Sequence, residues 1–322
     1  PTGWSSGSLQ SRQQFTQRRE GAKGAKKKRP MARPNYTLKN WPEWPIMVAM
    51  SDWGFQDELQ LDELNVPRAA LQLARALAYP RLDVAGYMAR LHELSESALD
   101  YVDVSLAADE QADQLAAYLF GKLQFRGNTD DYSDPRNSYL NEVLDRRLGI
   151  PISLSVIFID IAHRLGIPAY GIGLPGHFIV GVRSLDKNTW LDPFHGGRRL
   201  DLADCMELVR LAIGYEGPPE PDWFEPLPPR ETLARMLNNL RSSYVRAGAW
   251  KEAAHVIRLL RQTQPEVAEH VRDLGLVYYQ QRQMTQAAHY LDVYLQRAPS
   301  AADAQMIRDG MKDLLDTWAT QN

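Results

Sequence analysis

The chain has 322 residues, of which 44% are hydrophobic and one is cysteine, and its formal net charge is −3. This length and composition suggest two or three folded domains and exclude wholesale disorder. No apolar run approaches the ~20 residues that a membrane-spanning helix needs, so we expect no membrane association. A single cysteine excludes an internal disulfide and zinc sites built from several thiolates, and it fits a reducing, cytoplasmic environment.

Charge is distributed unevenly along the chain. Residues 1–34 contain nine Lys/Arg and one Glu, whereas the remainder contains 28 basic and 39 acidic residues. The acidic remainder is a poor electrostatic match for nucleic acid, so we do not expect a nucleic-acid partner. The basic run Lys23 to Arg29 could bind an anionic surface, or it could belong to a disordered leader. We favour a disordered basic leader over residues 1–34, with Met31 as a candidate native start.

Helical patterns dominate the next part of the chain. Residues 67–123 follow a helical period, and Asp83 and Asp109 are predicted N-caps. Asp134-Pro135 predicts the start of another helix, which Gly149 ends. Nine of the fourteen residues from Ile152 to Leu165 are apolar and cover the helix nearly all round. Residues 152–165 therefore predict a buried helix.

The hydrophobic period then changes from helical to alternating. Residues 169–174, 177–183 and 189–194 each predict a strand. Residues 184–188 form a polar turn, so the last two strands should pair as an antiparallel hairpin. A helix capped by Asp201 follows over residues 202–213.

A proline-rich segment separates this part from an internal repeat. Six of the sixteen residues from Gly214 to Pro229 are proline, which predicts a stiff linker and a domain boundary. Beyond it, identical or similar residues recur every 34 positions, the period of tetratricopeptide helix pairs. The matched positions are Leu240 with Leu274, Tyr244 with Tyr278, Trp250 with Met284, Ala253-Ala254 with Ala287-Ala288, and Pro265 with Pro299.

These features divide the chain into four predicted segments. Residues 1–34 are the basic leader, 35–213 a helical and mixed domain, 214–230 the linker, and 231–322 the repeat region. We expect two helix pairs and a closing helix over residues 301–318. A short array of this kind either binds a protein or peptide or extends the core of its neighbour.

Two residues on neighbouring predicted strands could carry chemistry. His177 and Asp192 should lie side by side, and a carboxylate on one imidazole nitrogen is the base-orienting half of a nucleophilic triad. Ser153, near the N-terminus of the buried helix, is the candidate nucleophile, because helix N-termini stabilise anions. The competing interpretations are a structural His–Asp hydrogen bond and a serine that only caps the helix.

Other candidate sites carry less chemistry. Residues 171–176 spell GxGxxG, but a strand follows the glycines where a dinucleotide site needs a helix, so we interpret them as a turn. Cys205 lies on an apolar helix face and should be a buried packing residue. His163 is expected to be a satisfied core residue. No His or acid cluster has metal-ligand spacing, and we predict no cofactor and no metal site.

The motifs resemble those of one protein family. The segments DPRNSYLNEVL (134–144), RLGIPISLS (147–155), LGIP (165–168), GHF (176–178) and DPFHGG (192–197) are similar to the SirB family. That family pairs a transglutaminase-like domain with tetratricopeptide repeats. The resemblance runs from about residue 67 to the C-terminus and implies an α+β fold with a papain-like core and a small antiparallel sheet, followed by an all-α repeat region.

The resemblance also bears on activity. The wider transglutaminase-like superfamily has Cys, His and Asp in that order, with the cysteine opening a buried helix. His177 and Asp192 match the last two, but residues 151–153, where the cysteine would fall, contain none. We therefore expect a non-catalytic regulatory or protein-binding scaffold, a pseudoenzyme whose repeat region binds a protein or peptide. The alternative is an acyl-transfer hydrolase that uses Ser153, His177 and Asp192.

Overall fold

The computed structural model describes residues 54–184 and 188–311, and the predicted leader lies outside them. Helices make up most of this part of the chain. Its α-helices include α1 (Phe55–Leu59), α2 (Val66–Leu77), α3 (Val84–Ala98), α4 (Ala108–Ala116), α5 (Leu140–Arg146), α6 (Pro151–Arg164), α7 (Leu202–Ile213), α8 (Pro229–Arg246), α9 (Trp250–Thr263), α10 (Glu269–Gln280) and α11 (Met284–Arg297). No helix in the described ranges is both long and apolar enough to cross a membrane.

The strands form one antiparallel sheet and one short parallel pair. The parallel pair is β1 with β2, and the sheet order is β3–β4–β5–β6. The strands are β1 (Arg126–Gly127), β2 (Leu148–Gly149), β3 (Ala169–Ile172), β4 (Ile179–Arg183), β5 (Asn188–Asp192) and β6 (Arg198–Leu200). The predicted hairpin is β4 with β5, in which Val180 lies opposite Leu191. The helices and this small sheet confirm the predicted α+β class.

Helix α6 lies at the centre of the mixed domain. Eleven of its fourteen residues are buried, as its apolar circumference predicts. Pro151 occupies the first turn, where a missing N–H leaves no hydrogen bond unmade. The helix packs against α3, β3, β4 and α8. The prediction that His163 is a core residue is wrong, because its side chain is exposed, although its Nε2 atom lies 2.6 Å from the carbonyl oxygen of Ala169.

Of the four predicted helix caps, two are confirmed and two are corrected. The Asp201 carboxylate accepts from the Asp204 N–H at 2.8 Å and caps α7. The Asp83 carboxylate accepts from the Gly86 N–H at 2.9 Å and caps α3. The prediction for Asp109 is wrong, since α4 begins one residue earlier and the Glu110 side chain accepts from the Ala107 N–H. Asp134 does accept from the Arg136 N–H, but it caps a 3₁₀ turn, Pro135–Asn137, rather than the predicted α-helix.

The repeat region consists of two helix hairpins, α8 with α9 and α10 with α11, as the 34-residue period predicts. Ala253 and Ala287 are fully buried at the helix contacts. A Cβ atom on Gly275 would lie 2.9 Å from the side chain of Leu291, so α10 and α11 approach closely there. The predicted closing helix begins at residue 304 instead of 301, and its predicted part after residue 311 lies outside the described residues.

The proline-rich segment packs against the sheet. The Leu227 N–H donates to the Gly171 carbonyl at 2.8 Å, and the Trp190 and Phe224 rings stack with centroids 4.6 Å apart. Leu233 and Leu237 of α8 belong to the same hydrophobic cluster as Phe158 of α6. The first repeat helix therefore shares a core with the mixed domain, and the domain boundary at 214–230 stays a prediction.

Candidate functional site

His177 lies in the loop between β3 and β4, two residues before the strand in which the alternation places it. The loop turns through Gly176, which has a φ of +74°. A Cβ atom at Gly176 would lie 2.5 Å from the Cβ of Ala212 on α7, so a glycine is required there. This turn directs the His177 ring toward the end of β5, and only 10% of that side chain is exposed.

Arg235, which lies on α8 in the repeat region, forms hydrogen bonds with this loop. Its guanidinium donates to the carbonyl oxygens of Gly173 at 3.0 Å, Leu174 at 2.8 Å and His177 at 2.9 Å. It also lies over the Phe178 ring, 5.8 Å from the centroid. Burial lowers the pKa of Arg235 from its ordinary value. Sequence reasoning did not identify this residue, because its partners lie about 60 positions away and are backbone atoms.

Asp192 is the last residue of β5, and its side chain contacts His177. The Nε2 atom of His177 lies 3.1 Å from Oδ1 of Asp192, so the predicted contact between the two side chains is present. The Asp192 side chain is fully buried, and its Oδ1 also accepts from the Phe194 N–H at 3.1 Å. The strand ends here because Pro193 cannot donate to a neighbouring strand and instead starts the 3₁₀ turn Pro193–His195.

A second histidine, His195, contacts the same carboxylate. Its Nδ1 atom lies 2.6 Å from Oδ2 of Asp192, and 45% of its side chain is exposed. The chain reverses through Gly196 and Gly197, whose φ values are +77° and +74°, and the Gly197 N–H donates to the Asp192 carbonyl at 2.8 Å. Sequence reasoning missed His195, although the spacing of three residues in Asp-Pro-Phe-His is a usable signal.

The carboxylate between the two rings is held ionised. Burial acts to raise the pKa of Asp192, but the hydrogen bonds and charges of His177 and His195 outweigh it, and the pKa lies below its ordinary value. The rings of His177 and His195 are nearly parallel, at 20°, with centroids 6.1 Å apart. The arrangement is thus one buried anion flanked by two imidazoles, one buried and one half exposed.

Ser153 is fully buried at the N-terminus of α6. Its Oγ lies 2.7 Å from the Asn137 carbonyl and 3.1 Å from the Ile150 carbonyl, either of which it can donate to, and it accepts from the Ile150 N–H at 3.0 Å. The hydroxyl therefore caps the helix and ties it to the preceding turn. A catalytic role for Ser153, His177 and Asp192 stays a prediction.

Cys205 of α7 is fully buried, as predicted for a packing residue. It belongs to an apolar cluster with Leu174, Ile179 and Val209. Burial, with smaller contributions from nearby aspartates, raises the pKa of Cys205 to about 12. Its thiol is therefore held in the protonated, poorly nucleophilic form.

The comparisons with known proteins match both halves of the chain. A model of the transglutaminase-like superfamily matches residues 85–238, and a tetratricopeptide repeat model matches residues 240–312. A UPF0162 protein of Xylella fastidiosa is 39% identical over 85% of this chain and 95% of that protein. The chain belongs to the SirB family.

Two further relatives share a smaller fraction of identical residues with the chain. Protein SirB1 of Salmonella typhimurium is 26% identical over 81% of this chain and 95% of that protein. A UPF0162 protein of Pseudomonas aeruginosa is 32% identical over 70% of this chain and 82% of that protein. The SirB-family assignment establishes a transglutaminase-like domain followed by tetratricopeptide repeats, which generally mediate protein–protein interaction.

Proposed function

We propose that this SirB-family protein is a non-catalytic scaffold that binds a protein or peptide through its repeat region. One observation carries the proposal. The Ser153 hydroxyl, at the position where the superfamily resemblance places a nucleophile, is fully buried and engaged with three backbone groups. A nucleophile needs an accessible side chain and an aligned base. The Ser153 hydroxyl is buried and hydrogen-bonded to the backbone, so it meets neither requirement. The single cysteine supports a reducing compartment, the cytoplasm, for this role.

A cluster of aromatic and basic side chains supports the binding role. Arg258 donates to the Tyr278 hydroxyl at 2.6 Å, and the Arg261 guanidinium lies 5.4 Å from the Tyr290 ring centroid. The Tyr278 and Tyr290 rings stack with centroids 5.4 Å apart. We call these four residues the Tyr–Arg face. Tyrosine and arginine are the residue types that most often dominate binding energy at protein interfaces.

The charge of the Tyr–Arg face favours an acidic peptide. Within the described residues, neither Arg258 nor Arg261 forms a salt bridge with a carboxylate. Arg258 is exposed, and Arg261 and Tyr290 are half buried. An acidic segment would supply the missing carboxylates while its apolar side chains pack on the half-buried Tyr290 ring, beneath which Tyr278 is buried.

The binding role is tested with peptides selected from a random library on the full chain. We expect the selected peptides to be acidic, and their Kd, measured by fluorescence anisotropy, to rise at least about tenfold in Arg258→Ser with Arg261→Ser. Arg297→Ser is the matched control, because Arg297 is an exposed arginine of α11. Peptides that bind wild type and both variants equally would show that the Tyr–Arg face is not the binding surface.

The alternative function is an acyl-transfer hydrolase, which the His177–Asp192 contact favours. Labelling with a fluorophosphonate probe decides between the two. We expect the labelling of wild type and of Ser153→Ala to be the same, so that no part of the signal depends on Ser153. Labelling that disappears in both Ser153→Ala and His177→Ala would establish the hydrolase and reject the non-catalytic scaffold.

A further inference from the structure

The geometry points to a binding site for a divalent transition-metal ion, of the Zn²⁺ class, formed by His177, Asp192 and His195. Each residue offers one ligand atom, and these atoms all lie within 4.8 Å of one another. Imidazole nitrogens and a carboxylate oxygen are the donor set that Zn²⁺ and its neighbours in the first transition row accept. The inference concerns ion binding and does not rest on the proposed scaffold function.

The distances are close to those of a metal site. Zn–N and Zn–O bonds near 2.0–2.2 Å in a tetrahedral site put neighbouring ligand atoms ~3.3 Å apart. The His177 Nε2 to Asp192 Oδ1 distance is 3.1 Å, and the His195 Nδ1 to Asp192 Oδ2 distance is 2.6 Å. The three donors therefore need only a modest adjustment. His195 can make it, because its side chain is 45% exposed while those of the other two are fixed by burial.

A catalytic triad in which Asp192 only orients His177 does not explain why His195 contacts the same carboxylate. Orienting one imidazole requires one carboxylate oxygen, and Asp192 uses Oδ1 for this. The second oxygen faces another imidazole, which the 3₁₀ turn Pro193–His195 brings back to the carboxylate. Both ring nitrogens thus converge on one carboxylate, which is the convergence that a three-ligand site requires.

Apart from its two histidine neighbours, the buried anion has no cationic partner among the described residues. The ion pairs of Asp192 there involve His177 and His195, and neither Lys nor Arg forms a salt bridge with it. A carboxylate in a buried environment is stabilised by a nearby positive charge. A divalent ion would supply that charge, and the half-exposed His195 gives it a path from solvent.

Protons balance without an added reactant. In the metal-free site, Nε2 of His177 and Nδ1 of His195 carry the protons that face the carboxylate, which can only accept. When the ion takes their place, a neutral ring exchanges this proton through water onto its other ring nitrogen. If a ring is cationic beforehand, it releases one proton to the buffer when the ion binds. Three protein ligands leave at least one position for water or for a side chain of a bound partner.

Isothermal titration calorimetry of the untagged, chelator-treated full chain with ZnCl₂ tests the site. We expect one Zn²⁺ per chain in wild type and no binding of Mg²⁺, which prefers oxygen ligands. Loss of a ligand should weaken Zn²⁺ binding at least about tenfold in His195→Ala and in Asp192→Asn. His289→Ala is the matched control, because His289 is an exposed histidine of α11 distant in sequence from the site.

Substitution of the buried Asp192 can disturb folding, so His195→Ala is the decisive variant. Circular dichroism checks that both variants are folded. Titration with Co²⁺ gives a second measurement, since the intensity of its d–d absorption reports the coordination number. The site is supported if the absorption intensity of wild type indicates a low coordination number and this absorption is lost in His195→Ala. Absence of Zn²⁺ binding, or binding of equal strength in wild type and His195→Ala, would overturn the proposal.

Discussion

At the N-terminus of α6, three backbone groups surround the hydroxyl of Ser153. Removing the oxygen leaves the Ile150 N–H, and the carbonyl that accepts the hydroxyl proton, without that partner. A buried polar group left without a hydrogen bond costs about 1–3 kcal/mol. We therefore expect Ser153→Ala to lower the free energy of unfolding by that amount. Ser155→Ala is the matched control, because the Ser155 hydroxyl bonds only to the Pro151 carbonyl four residues earlier, and it should cost less.

Urea unfolding of the two variants makes the comparison between a structural and a catalytic serine. A structural Ser153 predicts a large loss of stability in Ser153→Ala and a smaller loss in Ser155→Ala. Equal stability of wild type and Ser153→Ala would mean that the hydroxyl contributes nothing to the cap. That outcome would return Ser153 to the list of candidate nucleophiles.

Cys205 gives the second prediction at this scale, through the pH dependence of stability. Burial raises the pKa of the folded thiol to about 12, whereas an unfolded cysteine has a pKa near ~8.5. Between these values the unfolded chain releases its proton and the folded chain keeps it, so stability is full below ~8.5 and falls as pH rises toward the folded value. The slope is about 1.4 kcal/mol per pH unit for one proton.

Urea midpoints measured at about pH 8 and pH 10 for wild type and Cys205→Ala isolate this slope. Both chains carry the same tyrosines, so the difference between the two pH dependences belongs to Cys205. We expect Cys205→Ala to lose less stability between these values, and the native thiol of wild type to react slowly with a disulfide reagent at pH 8. Rapid reaction of the native thiol would contradict the burial.

Among the elements, the repeat hairpins depend on small residues at the helix contacts. Ala287 is fully buried where α11 meets α10, whereas its neighbour Ala288 is half buried. Phenylalanine at position 287 has to push the helices apart, which costs roughly 1–3 kcal/mol of stability. We expect Ala287→Phe to lower the melting temperature and Ala288→Phe to change it much less. Equal melting temperatures for the two variants would show that α10 and α11 are not in close contact at this point.

Elements with a long hydrophobic period could be predicted from the sequence, and short ones could not. The repeat helices and α6 have ten or more residues in one period, which fixes their type. Strand β6 has three residues and the turn Pro193–His195 also has three, too few to show any period. The pairing of β4 with β5 was enough to predict the contact of His177 with Asp192, although His177 lies in the loop before β4. His195 and Arg235 did not follow, since each depends on a tertiary approach that local patterns do not encode.

For the whole molecule, Arg235 connects the repeat region to the candidate site. The guanidinium donates to three loop carbonyls, and Arg235→Met leaves all three without that partner. We expect a loss of about 2–4 kcal/mol in the free energy of unfolding, because hydrogen bonds from a charged group are stronger than neutral ones. Arg297→Met is the control. Nitrogen-15 spectra should also show changed His177 ring signals in Arg235→Met only, and unchanged signals would mean that Arg235 does not position the loop.

The shared core makes a prediction about how the molecule opens. Leu233 of α8 and Leu260 of α9 lie in one cluster with the residues of α6. Leu274 and Ala287 belong to a second cluster, to which α9 also contributes through Ile257. Amide groups that depend on the same buried surface open together. Hydrogen exchange of the full chain should therefore give α8 and α9 the same opening free energy as α6, and a lower value to α10 and α11.

If α8 to α11 instead open together while α6 stays protected, the repeat region is an autonomous domain that begins after the proline-rich segment. With the expected order, the first repeat pair is part of the mixed domain, and a ligand bound to α8 and α9 stabilises the loop that carries His177.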